Sequence, residues 1–147
     1  MKNNFSIPCY NLKDFRLPKI LLVEDNYTTQ MIFQFQLSRL KTEVVTVDTG
    51  QSALQAIQEV SYDMMILDVG LPDITGDQVL SLIRAREKIQ KHTIYRLPII
   101  IVTAHGNKQK LHWYIEAGAN DALIKPIAFE QLNMLCQTFL VFPKKCE

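Results

Sequence analysis

Met64-Met65-Ile66-Leu67-Asp68-Val69-Gly70-Leu71-Pro72 is the stretch from which the fold follows. Four apolar residues run straight into an aspartate, and Gly70 and Pro72 close the run with turn chemistry. A run this short and this apolar predicts a buried strand rather than a helix. Asp68 then sits where the strand leaves the core. In a parallel α/β sheet, ligand chemistry gathers outside that carboxyl end of the strands. An isolated aspartate there would only end a strand and start a turn. The remaining strands decide between that and a reactive carboxylate.

Lys19–Val23 and Leu97–Val102 are similar apolar runs, and Glu43–Val47 is rich in β-branched residues. Asn120–Ile124 is the fifth candidate strand. Segments of helical spacing lie between and after them. Thr28–Leu40 places Phe33, Leu37 and Leu40 on one face, and Gln51–Val60 turns Leu54 and Ile57 inward behind the cap chemistry of Asp48-Thr49-Gly50. Asp77–Lys91 has Val79, Leu80, Leu82 and Ile83 as its apolar side, and Asn107–Ala117 stops at Gly118. Ile127–Leu140 carries Leu132, Leu135, Cys136 and Phe139. Strands alternating with helices in this way predict an α/β domain. Its parallel sheet is covered on both faces and joined by right-handed crossovers. The domain occupies residues 18–142, after an arm or linker at 1–17 and before a short tail at 143–147.

A chain of 147 residues that is 48% hydrophobic suits one domain with a substantial core. Its net charge of +1 points to neither a nucleic-acid nor a membrane surface. No run has the length of a transmembrane helix and the first residues do not resemble a signal peptide. The three cysteines, Cys9, Cys136 and Cys146, show no metal or disulfide spacing. That usage, with no disulfide framework, leads to the expectation of a reducing cytoplasm. Cys136 falls among apolar residues and reads as a core filler. Arg84, Arg86, Lys88, Lys91 and Arg96 make the far end of the third helix basic. That end is either solvated and matched to the helix dipole or a docking patch for an acidic partner. Trp113 and Tyr114 are adjacent on a helix and diverge by about 100°, so one faces the core and the other is partly exposed.

Polar signals stand at the ends of four of the strands: Glu24-Asp25, Asp68, Thr103 and Lys125. On a parallel sheet these ends share one edge, so the residues converge on one pocket. Glu24, Asp25 and Asp68 would repel one another without a counter-ion. A hard divalent cation such as Mg²⁺ (or Mn²⁺) relieves that repulsion through oxygen ligands and neutralises an incoming phosphoryl group. Phosphoryl transfer needs chiefly positioning and charge stabilisation. Asp68 is then the phosphoacceptor nucleophile, Lys125 a point charge on a phosphoryl oxygen and Thr103 a hydroxyl for another. Small Ala104 leaves room for the group.

The constellation resembles the receiver domain of two-component response regulators and hybrid sensor kinases. The motifs that carry the resemblance are Leu22-Val23-Glu24-Asp25-Asn26, Leu67–Pro72 with Gly76 beyond, Val102-Thr103-Ala104 and Lys125-Pro126. The resemblance implies a flavodoxin-like (CheY-like) sheet of order 2-1-3-4-5 with five surrounding helices. It implies Mg²⁺ held by Asp25, Asp68 and the backbone carbonyl of Gly70, with Glu24 acting through water. It also implies a cis peptide at Lys125-Pro126. The implied partners are a histidine kinase or histidine phosphotransfer domain and a downstream protein. A homodimer through the fourth helix, fifth strand and fifth helix is a further implied partnership, with no direct contact to nucleic acid or membrane. The chain would be a signalling phosphoacceptor rather than an enzyme.

Several positions depart from the usual pattern or carry a role only by resemblance. Ala122 stands where many receivers have a switching aromatic, and an alanine has no ring to swing. Gly70 and His105 are the positions that set phosphate lifetime; Gly70 has no side chain to orient water, and His105 could shield the phosphate or contact it. Thr28, Thr29, Ile32 and Phe35 lie on the helix that docks the phosphodonor domain, where an exposed patch and ordinary core packing compete. Three other functions suit parts of the pattern. A haloacid-dehalogenase-type phosphatase would need a second Asp where Gly70 stands. A flavodoxin-type module would need a hydroxyl- and glycine-rich loop where Glu24-Asp25-Asn26 stands. A degenerate receiver would bind protein without phosphorylation, which Ala122 keeps open.

Overall fold

The computed structural model describes residues 16–90 and 95–142. The arm before Arg16, the tail at 143–147 and Lys91 lie outside the described residues. The elements in chain order are β1 (Lys19–Val23), α1 (Tyr27–Ser38), β2 (Glu43–Val47), α2 (Gly50–Glu59) and β3 (Met64–Asp68). They continue with α3 (Gly76–Ile89), β4 (Ile99–Thr103), α4 (Lys108–Glu116), β5 (Asp121–Ile124) and α5 (Phe129–Phe139). All strand pairs are parallel, in the order β2-β1-β3-β4-β5. This is the order that the resemblance implies.

The central strands β3 and β4 are buried along their whole length, and Ile20 through Val23 of β1 are buried with them. Alternate residues serve opposite faces. Leu21, Val23, Met65, Leu67, Ile99 and Ile101 pack with residues of α2, α3 and α4. Ile20, Leu22, Met64, Ile66, Ile100 and Val102 pack with Phe33 and Leu37 of α1 and with Leu132, Leu135 and Cys136 of α5. Burial pushes the Cys136 thiol up to about 11, which suits a core filler.

Several expectations change, among them the start of β5, which is Asp121 rather than Asn120. β4 starts at Ile99 rather than Leu97, because the Leu97 N–H donates to Glu87 Oε2 at 3.1 Å and Pro98 has no N–H to give. The strand instead continues through Thr103. Leu82 is 45% exposed, since it stands roughly 200° around α3 from buried Leu80. The basic end of α3 is also not uniformly solvated. Arg84 is buried and donates to the Gly118 carbonyl at 2.9 Å, to Asn120 Oδ1 at 2.9 Å and to the Glu87 carboxylate. Exposed Arg96 donates to the same Gly118 carbonyl at 2.7 Å.

Two glycines are required by the backbone. A Cβ on Gly76 would lie 2.3 Å from the Asp68 carbonyl oxygen, so only glycine lets the start of α3 close against the end of β3. Gly118 has φ +115° and turns the chain out of α4 into β5.

Candidate functional site

The register brings the strand ends level: Val23 pairs with Leu67, Asp68 with Val102, and Thr103 with Ile124. Each predicted polar signal therefore emerges at one edge of the sheet. Glu24 is buried, Asp68 is buried and Asp25 is exposed. One carboxylate oxygen from each of the three lies within 4.8 Å of the others. Lys125, 101 residues from Glu24 in sequence but next to the three in space, places Nζ 3.1 Å from Asp68 Oδ1 and 2.5 Å from Glu24 Oε2. The Lys125-Pro126 peptide beyond it is cis.

Burial pushes the Glu24 carboxyl above its ordinary pKa, aided by Asp68 and opposed by hydrogen bonds from Lys125 and the Asn26 N–H. Burial also works against the Lys125 ammonium, but Glu24 and Asp68 outweigh it and hold Lys125 above its ordinary value. One ammonium among three carboxylates leaves negative charge unbalanced. The donor set is all oxygen, and it is open on the Asp25 side. These residues fit a hard divalent cation.

Thr103 is buried, and its hydroxyl turns onto its own loop. Oγ1 donates to the His105 carbonyl at 2.8 Å and accepts from the His105 N–H at 3.2 Å. Ala104 and the His105 side chain are exposed. Gly70 is exposed as well, and a Cβ there would stand 3.7 Å from Asp68 Oδ2, so the approach to that oxygen is unobstructed by a side chain at 70. Ala122 is buried in the same apolar cluster as Tyr114, while Trp113 is 45% exposed, which gives each of the two α4 aromatics its side.

On α1, Ile32 and Phe35 are 53% and 68% exposed, so they form a surface patch and core packing is excluded for them. Thr28 is exposed, and the half-buried Thr29 hydroxyl donates to Asn26 Oδ1 at 3.1 Å. Thr29 and Ile32 also line a cavity of about 270 Å³ with Ala104, Lys125 and Ile127, beside the acidic cluster.

Sequence reasoning assigned no structural role to three residues, Asn26, Gln30 and Asp73. Asn26 caps α1 by accepting from the Thr29 N–H at 2.9 Å, and its own N–H donates to Glu24 Oε1 at 3.1 Å. An Asn just before a helical segment is a legible cap signal. Gln30, which with Glu24-Asp25-Asn26 resembles the opening of hybrid-kinase receivers, donates from Nε2 to the Glu24 carbonyl at 2.5 Å. Asp73 accepts from the Gly50 and Gln51 N–H groups at 2.9 and 2.8 Å, capping α2 from the loop after β3. Those hydrogen bonds hold its carboxyl below the usual range.

Residues 20–137 match the family model of the response regulator receiver domain. The chain is 34% identical over 117 residues to the sensor protein GacS of Pseudomonas syringae pv. syringae, covering 80% of this chain. It spans only 13% of that protein's length. A solved receiver domain of sensor histidine kinase PA1611 from Pseudomonas aeruginosa PAO1 superposes with a TM-score of 0.73 at 31% identity, covering 84% of this chain and 98% of that one. That structure has a magnesium ion coordinated in its active-site cleft. The chemotaxis protein CheY4 of Vibrio cholerae superposes with a TM-score of 0.72 at 26% identity, covering 85% of this chain and all of the other.

Proposed function

The chain belongs to the response regulator receiver domain family, and we propose that it accepts a phosphoryl group on Asp68 in a two-component phosphorelay. The observation that carries this reading is the convergence of Asp68 with Glu24 and Asp25, with Lys125 Nζ 3.1 Å from Asp68 Oδ1. The donor is a histidine kinase or histidine phosphotransfer domain. An Asp68 carboxylate oxygen attacks phosphorus, the bond from phosphorus to the donor nitrogen breaks, and its electron pair returns to the imidazole. Asp25, Asp68 and the Gly70 carbonyl would hold Mg²⁺ or Mn²⁺, with Glu24 acting through water. The bound cation supplies neutralisation of the phosphoryl charge. Lys125, already beside Asp68, turns to a phosphoryl oxygen as a point charge.

The Thr103 hydroxyl has a second role. To reach the phosphoryl group it gives up the His105 carbonyl, and the loop leading into α4 loses that tie. With Ala122 lacking a ring, this exchange is the local event that biases the α4–β5–α5 surface towards a downstream protein or a second copy. Trp113, Ile115 and Ile124 are 45%, 43% and 38% exposed on that surface. Thr28, Thr29, Ile32 and Phe35 present the donor-docking face beside the site. Among the described residues no helix is long and apolar enough to cross a membrane. The phosphodonor reading itself places the chain in the cytoplasm, beside the kinase domain that supplies the phosphate.

The site assignment is tested by phosphorylating the protein from a histidine-phosphorylated donor domain and trapping the acyl phosphate with borohydride. Peptide mapping should find position 68 reduced. Reduction at another carboxylate, with Asp68 intact, would overturn the assignment.

A further inference from the structure

The three carboxylates of the cluster are aimed by different means. Glu24 and Asp68 are buried and tied to Lys125. Asp25 is exposed, and among the described residues no hydrogen bond or ion pair engages its carboxylate. Its direction is therefore inherited from the backbone on which it stands, the peptide joining Glu24 to Asp25. That peptide's carbonyl accepts from Gln30 Nε2 at 2.5 Å. Gln30 stands in the first turn of α1, half-buried, with its own N–H on the Asn26 carbonyl at 2.9 Å. The rest of the turn is pinned on either side. The Glu24 N–H donates to Val47 O at 3.0 Å, and the Asn26 N–H donates to Glu24 Oε1 at 3.1 Å.

We infer that Gln30 is a positioning residue for the cation site: its amide fixes the plane of the Glu24–Asp25 peptide and hence the direction from which Asp25 reaches a divalent cation. This rests on reading Glu24, Asp25 and Asp68 as that site. A long side chain loses rotamer freedom by reaching back across a turn. Water could satisfy a carbonyl near the surface just as well. Water cannot fix the carbonyl's plane against a rigid helix, and a residue that orients a ligand from outside the ligand set acts in this way.

The test is calorimetric titration of Mg²⁺ into the wild-type chain, Gln30→Met and Gln30→His at pH 8, with the thermal midpoint of each measured without metal. Met fills the same volume with no donor. Neutral His carries a ring N–H at nearly the distance of the Gln amide nitrogen. Gln30→Met should bind Mg²⁺ about tenfold more weakly, Gln30→His should bind close to wild type, and the metal-free midpoints of the two variants should agree. Unchanged Mg²⁺ affinity in Gln30→Met, with wild type binding normally, would overturn the role of Gln30 alone. Equal losses of affinity in both variants, with lowered metal-free midpoints, would make Gln30 a packing residue and overturn the inference too. No Mg²⁺ binding by the wild type would instead overturn the cation site on which the inference rests.

Discussion

A carboxylate in this fold is set by what surrounds it, and Asp63 shows the rule outside the functional site. It stands just before β3, where it accepts from Arg16 Nη1 and Nη2 at 2.8 and 3.0 Å and from the Lys19 N–H at 2.7 Å. Burial works against its charge, but these bonds outweigh it and hold its pKa below the ordinary carboxylate value. A depressed folded pKa contributes stability that is complete above the unfolded value and is lost as pH falls through the folded one. Asp63→Asn should therefore cost about 1 kcal/mol at pH 7. The gap from wild type should close once pH drops below the usual carboxylate range. Urea unfolding at neutral and acid pH measures both; a gap that persists undiminished in acid would show that packing, not charge, is what Asp63 contributes. At the functional site the same forces act in opposition. Burial lifts Glu24 while Lys125 restrains it, and the surplus negative charge is what makes the cluster fit a divalent cation.

At the scale of elements, helices are attached to the sheet by side chains as well as by apolar faces. Arg84 joins α3 to the turn between α4 and β5, and Asn120 Oδ1 accepts from both Arg84 and the Ile99 N–H. Arg84→Met keeps the volume and removes the donors, leaving the Glu87 carboxylate with the Leu97 N–H and Asn120 Oδ1 with the Ile99 N–H but neither with a charged partner. It should lower stability by about 2–3 kcal/mol, measured by urea unfolding. A loss no larger than that of an exposed Lys88→Met control would contradict the network. The position of Arg84 was legible, because it lies four residues after buried Leu80 on the inward face of α3. Its charge argued for solvent, and only Gly118 and Asn120, more than thirty residues later, supply the partners that reverse this. Asp73 was unreadable for the same reason, since the helix it caps precedes it in the chain by more than twenty residues. By contrast β1, β2 and β3 follow from apolar and β-branched runs with no remote help, and their bounds agree residue for residue with the sequence reading. Strand β4 shifted for a local reason, Pro98 within the run, and a tertiary one, the remote Glu87.

Across the whole molecule, the order β2-β1-β3-β4-β5 carries the chain from β1 outward to β2 and then back across to β3. The crevice at such a reversal lies outside the carboxyl ends of the strands. Glu24-Asp25 and Asp68 flank it, and Lys125 reaches in from the far edge. That convergence was legible because each residue ends an apolar run, and parallel topology puts all such ends on one edge. Less legible was how the turn after β1 is held: Gln30 acts through a backbone carbonyl, which no side-chain pattern records. The exposed Ile32–Phe35 patch was undecided in the sequence because α1 has more apolar residues than one buried face needs. The central claim is that this edge delivers a phosphoryl group to Asp68. Incubating the chain with Mg²⁺ and acetyl phosphate, then recording the intact mass, tests it most directly. The account predicts a gain of one phosphate that is abolished by EDTA and in a folded Asp68→Ala variant. An equal gain in Asp68→Ala, or no gain from a wild-type chain shown to bind Mg²⁺, would contradict it.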